Sequence, residues 1–458
     1  MAMKEENAKV VRSGVAILPQ FTATTTAMAN VEEEAGWNSL PLEIQFEILA
    51  RVPALDLIGL KPVCKSWFNL ISSNRYFSYA QLARCRFRSR LSILLDEHQY
   101  VSGQQGGGSF RYHYLAFETD GGGSAQLSTA ELLHNRELNL EALLPWASKQ
   151  DEVYVLSSCD GLILFSASSS GNFSENLRLF VCNPVIALSA MLPSPPADAD
   201  YEYEIRAWAL GYDDSAAGGT IRYKVVGIRR SKSYPHKNQL VLFTLGCTSL
   251  SSSWRVIDIE NDFNRYRSLD TVVANGKLNW MCSRCTSSGG CESYLLSIDM
   301  NKEVVTEEAL NLPRTLLCIP PVGFFGVHGC LYLVFPPWAY NSQDMQIWCM
   351  KDWNSLKWVK EHVIPMSTIL SSVPEPIFPT PVKPIGIIAN ATKLILHLTQ
   401  CGQLVSYDFQ SKTVTPLPSE ALCGKLRSFI QYPHVRGESC VMIHAYAREY
   451  VDSLVSWL

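Results

Sequence analysis

No stretch of this 458-residue chain approaches the ~18 to 20 consecutive apolar residues that a membrane-spanning helix requires. An excess of positive charge is also missing: 39 Lys and Arg stand against 43 Asp and Glu, the net charge is -4 and the pI is near 6.2. Binding to nucleic acid or to an anionic membrane normally requires a basic face. We therefore expect neither a nucleic-acid nor a membrane partner. The expected partners are proteins or neutral small molecules.

Secreted, disulfide-supported proteins are a second class that the sequence disfavours. The chain has 14 cysteines, but most lie inside apolar segments such as "LRLFVCNP" and "CLYLVF" and not at regular loop spacings. Residues 1–36 contain no apolar core longer than "GVAIL" and carry several glutamates, which argues against a secretory signal or a transit peptide. We expect reduced thiols, a cytoplasmic or nuclear location, and a disordered leader over residues 1–36.

Recognisable catalytic motifs are missing as well. The sequence contains no G-x-S-x-G, H-E-x-x-H, phosphate-binding loop or dinucleotide-binding pattern. Its one thiol cluster, Cys282, Cys285 and Cys291, has no fourth metal ligand nearby in sequence, which favours free thiols in a hairpin loop over a zinc site. We predict no catalytic residues, no metal and no cofactor.

The segment "LPLEIQFEILARVPALDLIGLKPVCKSW", Leu40 to Trp67, is unusually apolar and has a helical pattern. Pro41 and Pro53 bound a first helix, Asp56 and Pro62 begin two more, and "NRYFSYAQLARC" predicts a fourth. Such a bundle has roughly 50 residues, which is small for independent stability. Its apolar side chains belong either to an internal core or to a surface that another protein covers.

Beyond residue 90 the pattern changes to short apolar strands separated by Gly, Ser, Asn and Pro, which indicates an all-β sandwich, barrel or propeller. A turn dipeptide followed by an alternating strand occurs at Asp160-Gly161, Asn275-Gly276 and His328-Gly329, with a weaker copy at Asn390-Ala391. These spacings fit a unit of roughly 50 to 60 residues, close to a kelch blade. We predict a kelch-like propeller of six or seven blades, interrupted by one helical segment, "STAELLHNRELNLEALL".

The segment from Leu40 resembles an F-box. It has the Leu-Pro opening, an Ile-Leu pair before an Arg-Val-Pro turn, and a Val-Cys-Lys-x-Trp core, in that order. The later segments "SSCDGLILF", "LGYDD" and "VVANGKLNWM" are similar to the F-box-associated and kelch-type β domains of plant F-box proteins. The resemblance implies an F-box helical domain over residues 37–85 and a β-propeller substrate-binding domain over residues 90–458.

Proteins that this chain resembles are substrate receptors of SCF (Skp–cullin–F-box) ubiquitin ligases, in which the F-box docks on a Skp-type linker bound to a cullin. The resemblance implies a non-catalytic adaptor whose partners are that linker, through it a cullin, and an unknown protein target. Aliphatic and aromatic side chains dominate such interfaces. The residues that the resemblance assigns to the docking surface are Leu40, Pro41, Ile44, Ile48, Leu49, Val52, Leu60, Val63, Cys64 and Trp67.

For target binding, the best local candidate is "FPPWAYN", where Phe335, Trp338 and Tyr340 lie in or beside a proline-stiffened loop. The alternative is that these rings fill a wedge between blades. Trp208 and Tyr234 raise the same question, as does Trp353.

Two other functions stay open. The β domain could be a propeller enzyme or a carbohydrate-binding module that the N-terminal helices merely cap, because active sites built from loops of several blades escape a linear motif search. An F-box protein could also act outside ubiquitination, as a scaffold for the linker alone.

Overall fold

The structure is a computed structural model. It describes residues 10–12, 40–85, 90–101, 109–118, 131–147, 151–168, 177–196, 203–213, 221–232, 234, 237–246, 254–259, 271–285, 291–317, 319, 321–337, 344–371, 382–388, 392–398, 403–417, 441–450 and 453–456. Among the described helices, none has the length and apolar content needed to cross a membrane.

Four helices form the N-terminal bundle: α1 (Leu42–Leu49), α2 (Ala54–Leu60), α3 (Lys65–Ser73) and α4 (Arg75–Cys85). Prolines precede the first two, as predicted for α1, because the fixed φ of proline suits the start of a helix. The predicted starts of the next two were wrong. Pro53, not Asp56, is the N-cap of α2, and α3 begins after Cys64, whose Sγ accepts the Trp67 N–H at 3.5 Å.

The remainder is built of antiparallel strands, and the predicted change from helix to strand near residue 90 is confirmed. Five sheets, numbered here as blades 1 to 5, each consist of four strands that follow one another in the chain. The strands of blades 1 and 2 are β5 (Glu152–Cys159), β6 (Leu162–Ser168), β7 (Arg178–Asn183), β8 (Leu188–Met191), β9 (Tyr203–Asp213), β10 (Arg222–Ser231), β11 (Asn238–Thr244) and β12 (Arg255–Ile259).

The strands of blades 3 to 5 are β13 (Val272–Ala274), β14 (Lys277–Cys285), β15 (Cys291–Asp299), β16 (Val305–Ala309), β17 (Gly323–Val327), β18 (Cys330–Phe335), β19 (Asp344–Met350), β20 (Trp358–Pro365), β21 (Val382–Ile388), β22 (Lys393–Leu398), β23 (Gln403–Asp408) and β24 (Val414–Pro416). Short helices α6 (Arg314–Leu317) and α7 (Met366–Leu370) lie in the connections that lead to blades 4 and 5.

One further sheet, the composite sheet, joins distant parts of the chain in the order β25-β2-β3-β4. Its strands are β2 (Arg90–Val101), β3 (Ser109–Glu118), β4 (Glu131–Glu137) and β25 (Val441–Tyr450). The prediction of six or seven blades was therefore wrong, since the described residues form five blades of consecutive strands, and the composite sheet joins the two ends of the domain. A spacing argument assigns every strand after residue 90 to a local repeat, whereas β25 crosses back to pair with β2.

One local prediction also fails. The segment predicted as a helix, "STAELLHNRELNLEALL", contains strand β4 and only a four-residue helix, α5 (Leu140–Leu143). Pairing with β3, with Leu115 opposite Asn135, overrides the local helical preference. Within the leader predicted to be disordered, Val10–Arg12 form strand β1 at the outer edge of blade 1, paired with β8.

The predicted turn dipeptides are confirmed where the structure describes them. Asp160, Asn275 and His328 have φ values of 51°, 52° and 50°, each followed by a glycine with positive φ. This left-handed pair is the geometry of a two-residue hairpin whose twist matches that of its strands. The Asn390-Ala391 copy lies outside the described residues.

Apolar clusters fill the spaces between successive blades, so the strands are buried on both faces. In β6, Leu162 and Leu164 face blade 2, whereas Ile163 and Phe165 face the other side, and all seven residues of the strand are buried. The inner strand of each of these blades is its first, and β5 contacts β9, β13 contacts β17 and β17 contacts β21. The first-to-second and third-to-fourth turns of all blades consequently lie on one face, called here the proximal face.

The helical bundle packs on the proximal face at blade 1. Val185 and Ile186, in the turn between β7 and β8, pack against the buried core of the bundle, and Leu82 of α4 enters the cluster between blades 1 and 2. Tyr79 donates a hydrogen bond from its hydroxyl to the carbonyl oxygen of Ile221 at 3.2 Å. The bundle is thus attached to the propeller by buried contacts as well as by the chain.

Candidate functional site

Helix α1 is apolar on two sides, and this is the origin of the unusual opening sequence. Leu49 is 1% exposed and packs in the internal core of the bundle. Ile44 and Ile48, one turn apart, point outward and are 46% and 38% exposed. A helix that is apolar all round is normally buried on all sides. The outer side of α1 is uncovered in this chain.

The outward apolar side chains are concentrated in the bundle. Of the 11 large hydrophobic side chains that are exposed in the described part of the chain, six lie between residues 42 and 76. They are Leu42, Ile44, Ile48, Val63, Phe68 and Tyr76. Complete burial of a fully exposed aliphatic side chain contributes roughly 1.5–3 kcal/mol, so covering these partly exposed side chains with a partner would contribute part of that amount for each.

A groove of about 740 Å³ lies beside these residues, between α1, α3 and the start of α4. Its lining is apolar at Leu42, Phe46, Trp67 and Leu70, and polar at its other residues. The ring of Phe46 stacks on Tyr76 at 5.7 Å between centroids and meets Phe77 edge-on at 5.2 Å. These ring contacts hold the aromatic wall of the groove in place.

By exposure, the predicted docking residues separate into three groups: exposed, half-buried and buried. Pro41, Ile44, Ile48, Val63 and Cys64 are exposed. Leu40, Val52, Leu60 and Trp67 are half-buried, and Trp67 lines the groove.

The assignment of Leu49 to the docking surface was wrong. Its side chain is buried in the internal core and presents no surface to a partner. The helical period explains the error, because residues 48 and 49 are neighbours in sequence but project about 100° apart around the helix axis. Leu42, Phe68 and Tyr76 are also exposed and were not among the predicted residues. The sequence signal that could have identified them is an apolar residue placed outside the core-facing side of its helix.

One charged pair fixes the fourth helix against the first. A single guanidinium nitrogen of Arg84 donates to both carboxylate oxygens of Glu47, at 2.5 and 2.6 Å. Both side chains are partly exposed, so the pair orients the helices more than it stabilises them. At the far end of α2, burial lowers the pKa of Lys61.

The predicted target-binding residues fare differently. Phe335 is 1% exposed and packs in the cluster between blades 3 and 4, so the prediction that it is a surface anchor was wrong. It is the last residue of β18, where alternation turns its side chain into the cluster that also holds Leu331 and Leu333. Trp338 and Tyr340 lie outside the described residues.

The other suspected aromatic residues are mostly structural. Trp208 is buried and packs against Trp254 at 5.6 Å between ring centroids. Trp353 donates a hydrogen bond from Nε1 to the carbonyl oxygen of Gly329 at 2.8 Å. Tyr234 is 55% exposed, in the connection between β10 and β11, with the Lys237 ammonium 5.9 Å from its ring centroid. Of these three, Tyr234 alone has the exposure of a binding anchor.

The thiol cluster lies along one hairpin. Cys285 and Cys291 are opposite each other at the end of the β14–β15 pair, whereas Cys282 is buried in the cluster between blades 2 and 3. Within the part of the chain that the structure describes, no group of three or more His, Cys, Asp or Glu side chains is arranged to hold a metal ion.

The face opposite the bundle, called here the distal face, carries the second-to-third connections and those between blades. The latter comprise residues 192–202, 260–271, 310–322 and 366–381, of which 197–202, 260–270, 318, 320 and 372–381 lie outside the described residues. Proximal turns are often as short as residues 160–161, 275–276 and 328–329. Long connections on a rigid scaffold are where binding residues concentrate.

Comparison with known families assigns both parts of this architecture. The profile of the F-box domain matches residues 37–79, and that of the F-box associated beta propeller domain matches residues 126–415. The chain therefore belongs to the family of F-box proteins that carry an F-box associated beta propeller.

Plant relatives agree with this assignment. An F-box/kelch-repeat protein of Arabidopsis thaliana is 25% identical over 347 residues, which cover 72% of this chain and 80% of the relative. A second Arabidopsis F-box protein is 25% identical over 216 residues, covering 47% of this chain and 46% of the relative. The chain thus spans most of the first relative and about half of the second.

Similar solved structures are more distant. The nidogen/laminin complex aligns with a TM-score of 0.36 and 10% identity, over 77% of this chain and 98% of the other. A sialidase of Trypanosoma rangeli aligns with a TM-score of 0.35 and 10% identity, over 72% of this chain and 54% of the other. Similarities at this level support no conclusion about function.

Proposed function

We propose that this protein is the substrate-recognition subunit of an SCF-type ubiquitin ligase. In this proposal the bundle binds a Skp-type linker and through it a cullin, and the propeller binds a protein target. The observation that carries the proposal is the uncovered apolar side of α1 and α3, on a bundle whose internal core is already complete.

The protein would act without making or breaking bonds itself. A target held beside a ubiquitin-charged enzyme reacts at a high effective concentration, so a slow encounter becomes an effectively intramolecular transfer. This role requires a fixed separation between linker and target, and the buried contacts between bundle and blade 1 support one. Target binding on the distal face would leave the proximal face to the bundle.

The cytoplasm or the nucleus is the proposed location. Cys64, Cys159, Cys182, Cys282, Cys330 and Cys349 are all free thiols. Free thiols in this number fit a reducing compartment.

The test is calorimetric binding of a purified Skp-type linker to the full chain and to the double variant Ile44→Asp/Ile48→Asp. Two carboxylates in the centre of an apolar interface should weaken binding about 100-fold or more, because each would be desolvated without a partner. The bundle should stay folded, since both side chains already face solvent.

The matched control is Val359→Asp/Val363→Asp on β20, where the natural valines are 55% and 46% exposed. This control should bind the linker with the natural affinity. The proposal fails if the natural protein does not bind the linker, or if both double variants lose affinity equally.

A further inference from the structure

Three consecutive residues after β25, Ser453–Val455, lie between the bundle and blade 1. Their exposures are 0%, 2% and 0%. Leu454 packs in the core of the bundle with Leu49 and Phe77, whereas Val455 packs in the cluster between blades 1 and 2. The segment therefore contributes neighbouring side chains to two separate cores.

Blade 1 holds this segment by its backbone as well. Ser453 donates from Oγ to the carbonyl oxygen of Asp160, in the turn between β5 and β6. The side-chain amide of Asn183, itself fully buried, donates to the carbonyl oxygens of Ser453 and Val455 at 3.0 and 2.9 Å. Both protons of that amide are thus used to hold the segment.

The same residue has a second task that its counterparts in other blades share. The Oδ1 atom of Asn183 accepts the N–H of Val185 at 3.0 Å and so closes the turn between β7 and β8. Asp299, Asp352 and Asp408 close the third-to-fourth turns of blades 3, 4 and 5 in the same way, at 3.0, 2.9 and 2.9 Å.

All four turns also place a residue with positive φ four positions after the acceptor. These residues are Ala187, Glu303, Leu356 and Lys412, with φ between 48° and 58°. The turns therefore share one geometry, and either an amide or a carboxylate can close it.

Of these four described turns, that of blade 1 has the amide, and there the amide also donates to the Ser453–Val455 segment. An aspartate in place of Asn183 could still accept from Val185, but it would offer a carboxylate oxygen to two carbonyl oxygens. The same turn is apolar where the other three are largely polar, "PVIA" in contrast to "MNKE", "WNSL" and "FQSK". Both differences lie where the bundle packs.

We propose that Asn183 is a positioning residue which, with Ser453–Val455, forms a clamp that fixes the orientation of the F-box bundle on the propeller. The functional consequence of the clamp, a constant separation between linker and target, rests on the proposed adaptor function. The clamp itself is a property of the free chain.

The test is the isosteric change Asn183→Asp in the full chain, because an ionised carboxylate donates no hydrogen bond to the segment and a protonated carboxyl group donates one in place of two. Hydrogen exchange should accelerate at least tenfold in residues 453–456 and in α4, while blades 3 to 5 keep their protection. Linker affinity should change less than twofold, because the outer side of α1 is untouched. Ubiquitin transfer to a target fused to the distal face should fall at saturating linker.

The control is Asp352→Asn, the reverse substitution in a turn of the same geometry that holds no such segment. It should leave every readout unchanged.

A second variant, Leu454→Ala, loosens the same clamp without a new charge. It should accelerate hydrogen exchange in the same two segments, and it serves as the test if Asn183→Asp does not fold. Equal exchange in Asn183→Asp, Leu454→Ala and the natural protein would overturn the clamp. If the natural protein does not bind the linker, the adaptor proposal fails, and exchange still decides the clamp.

Discussion

The propeller and the bundle use apolar residues in opposite ways. In blade 1, every residue of β6 is buried, because blade 2 covers one of its faces and residues of the α5 segment, Leu143 and Leu144, cover the other. In the bundle, α1 buries Leu49 and leaves Leu42 69% exposed and Ile44 46% exposed. The propeller therefore completes its own packing, whereas the bundle carries more apolar surface than its own fold can cover.

This difference explains why one short stretch of sequence suited both a core and an interface. Each description applies to one side of the same helix. The predictions that follow first compare the two sides of α1 and then compare the propeller with the bundle, in order of decreasing effect.

The largest effect should come from Leu49→Ala. Truncating a leucine in a filled core costs roughly 2–5 kcal/mol in the free energy of unfolding, because a cavity remains. The adjacent variant Ile48→Ala should change that free energy by less than about 0.5 kcal/mol and instead weaken linker binding. Urea denaturation and calorimetry measure the two quantities. Similar loss of stability in both variants would show that α1 has only one buried side.

A second comparison uses two glycines. A Cβ at Gly227 in β10 would lie 2.3 Å from the ring of Trp208, so Gly227→Ala should destabilise the propeller by about 1–3 kcal/mol or more through overpacking. A Cβ at Gly59 in α2 meets nothing within 4 Å, so Gly59→Ala should stabilise the bundle by roughly 0.5–1 kcal/mol. Scanning calorimetry should resolve the opposite shifts in melting temperature. Shifts of the same sign would contradict this account of the packing.

The effect that is smallest at neutral pH is a pH dependence of stability confined to the propeller. Burial, with help from the charge of Lys383, lowers the pKa of His397 to about 4. Neither ring nitrogen has a hydrogen-bond partner among the described residues. The unfolded chain takes up this proton near pH 6.5 and the folded chain does not, so stability present above pH 6.5 should be lost as the pH falls towards 4.

The matching variant is His397→Leu, which removes the titrating group without breaking a hydrogen bond. It should move the midpoint of acid unfolding of the propeller to lower pH and leave linker binding at pH 7 unchanged. An unaltered midpoint would mean that His397 does not govern this transition.

Local chemistry made part of the fold predictable. Asp160-Gly161 and Asn275-Gly276 specify their turns by themselves, because few residues adopt a positive φ. Pro41 likewise marks the start of α1. Pairings that override or bypass the local sequence were not predictable: β4 pairs with β3 although its sequence has a helical pattern, and β25 returns to β2 from the other end of the domain.

The sequence predicted which helices form the candidate site, but not which side of each helix is exposed. The order of motif residues identified α1 and α3, and the distinction between Ile48 and Leu49 needed the packing of the bundle. The second role of Asn183 had no sequence signal on its own. It became visible when its turn was compared with three others and the distant segment Ser453–Val455 was found beside it.

The central claim is that the outer side of α1 and α3 is the surface to which a Skp-type linker binds. Hydrogen exchange of the full chain with and without a purified linker tests this most directly. The account predicts slower exchange in α1 and α3 and unchanged exchange in blades 2 to 5. Protection centred on the propeller, or no protection in α1 and α3 at saturating linker, would contradict it.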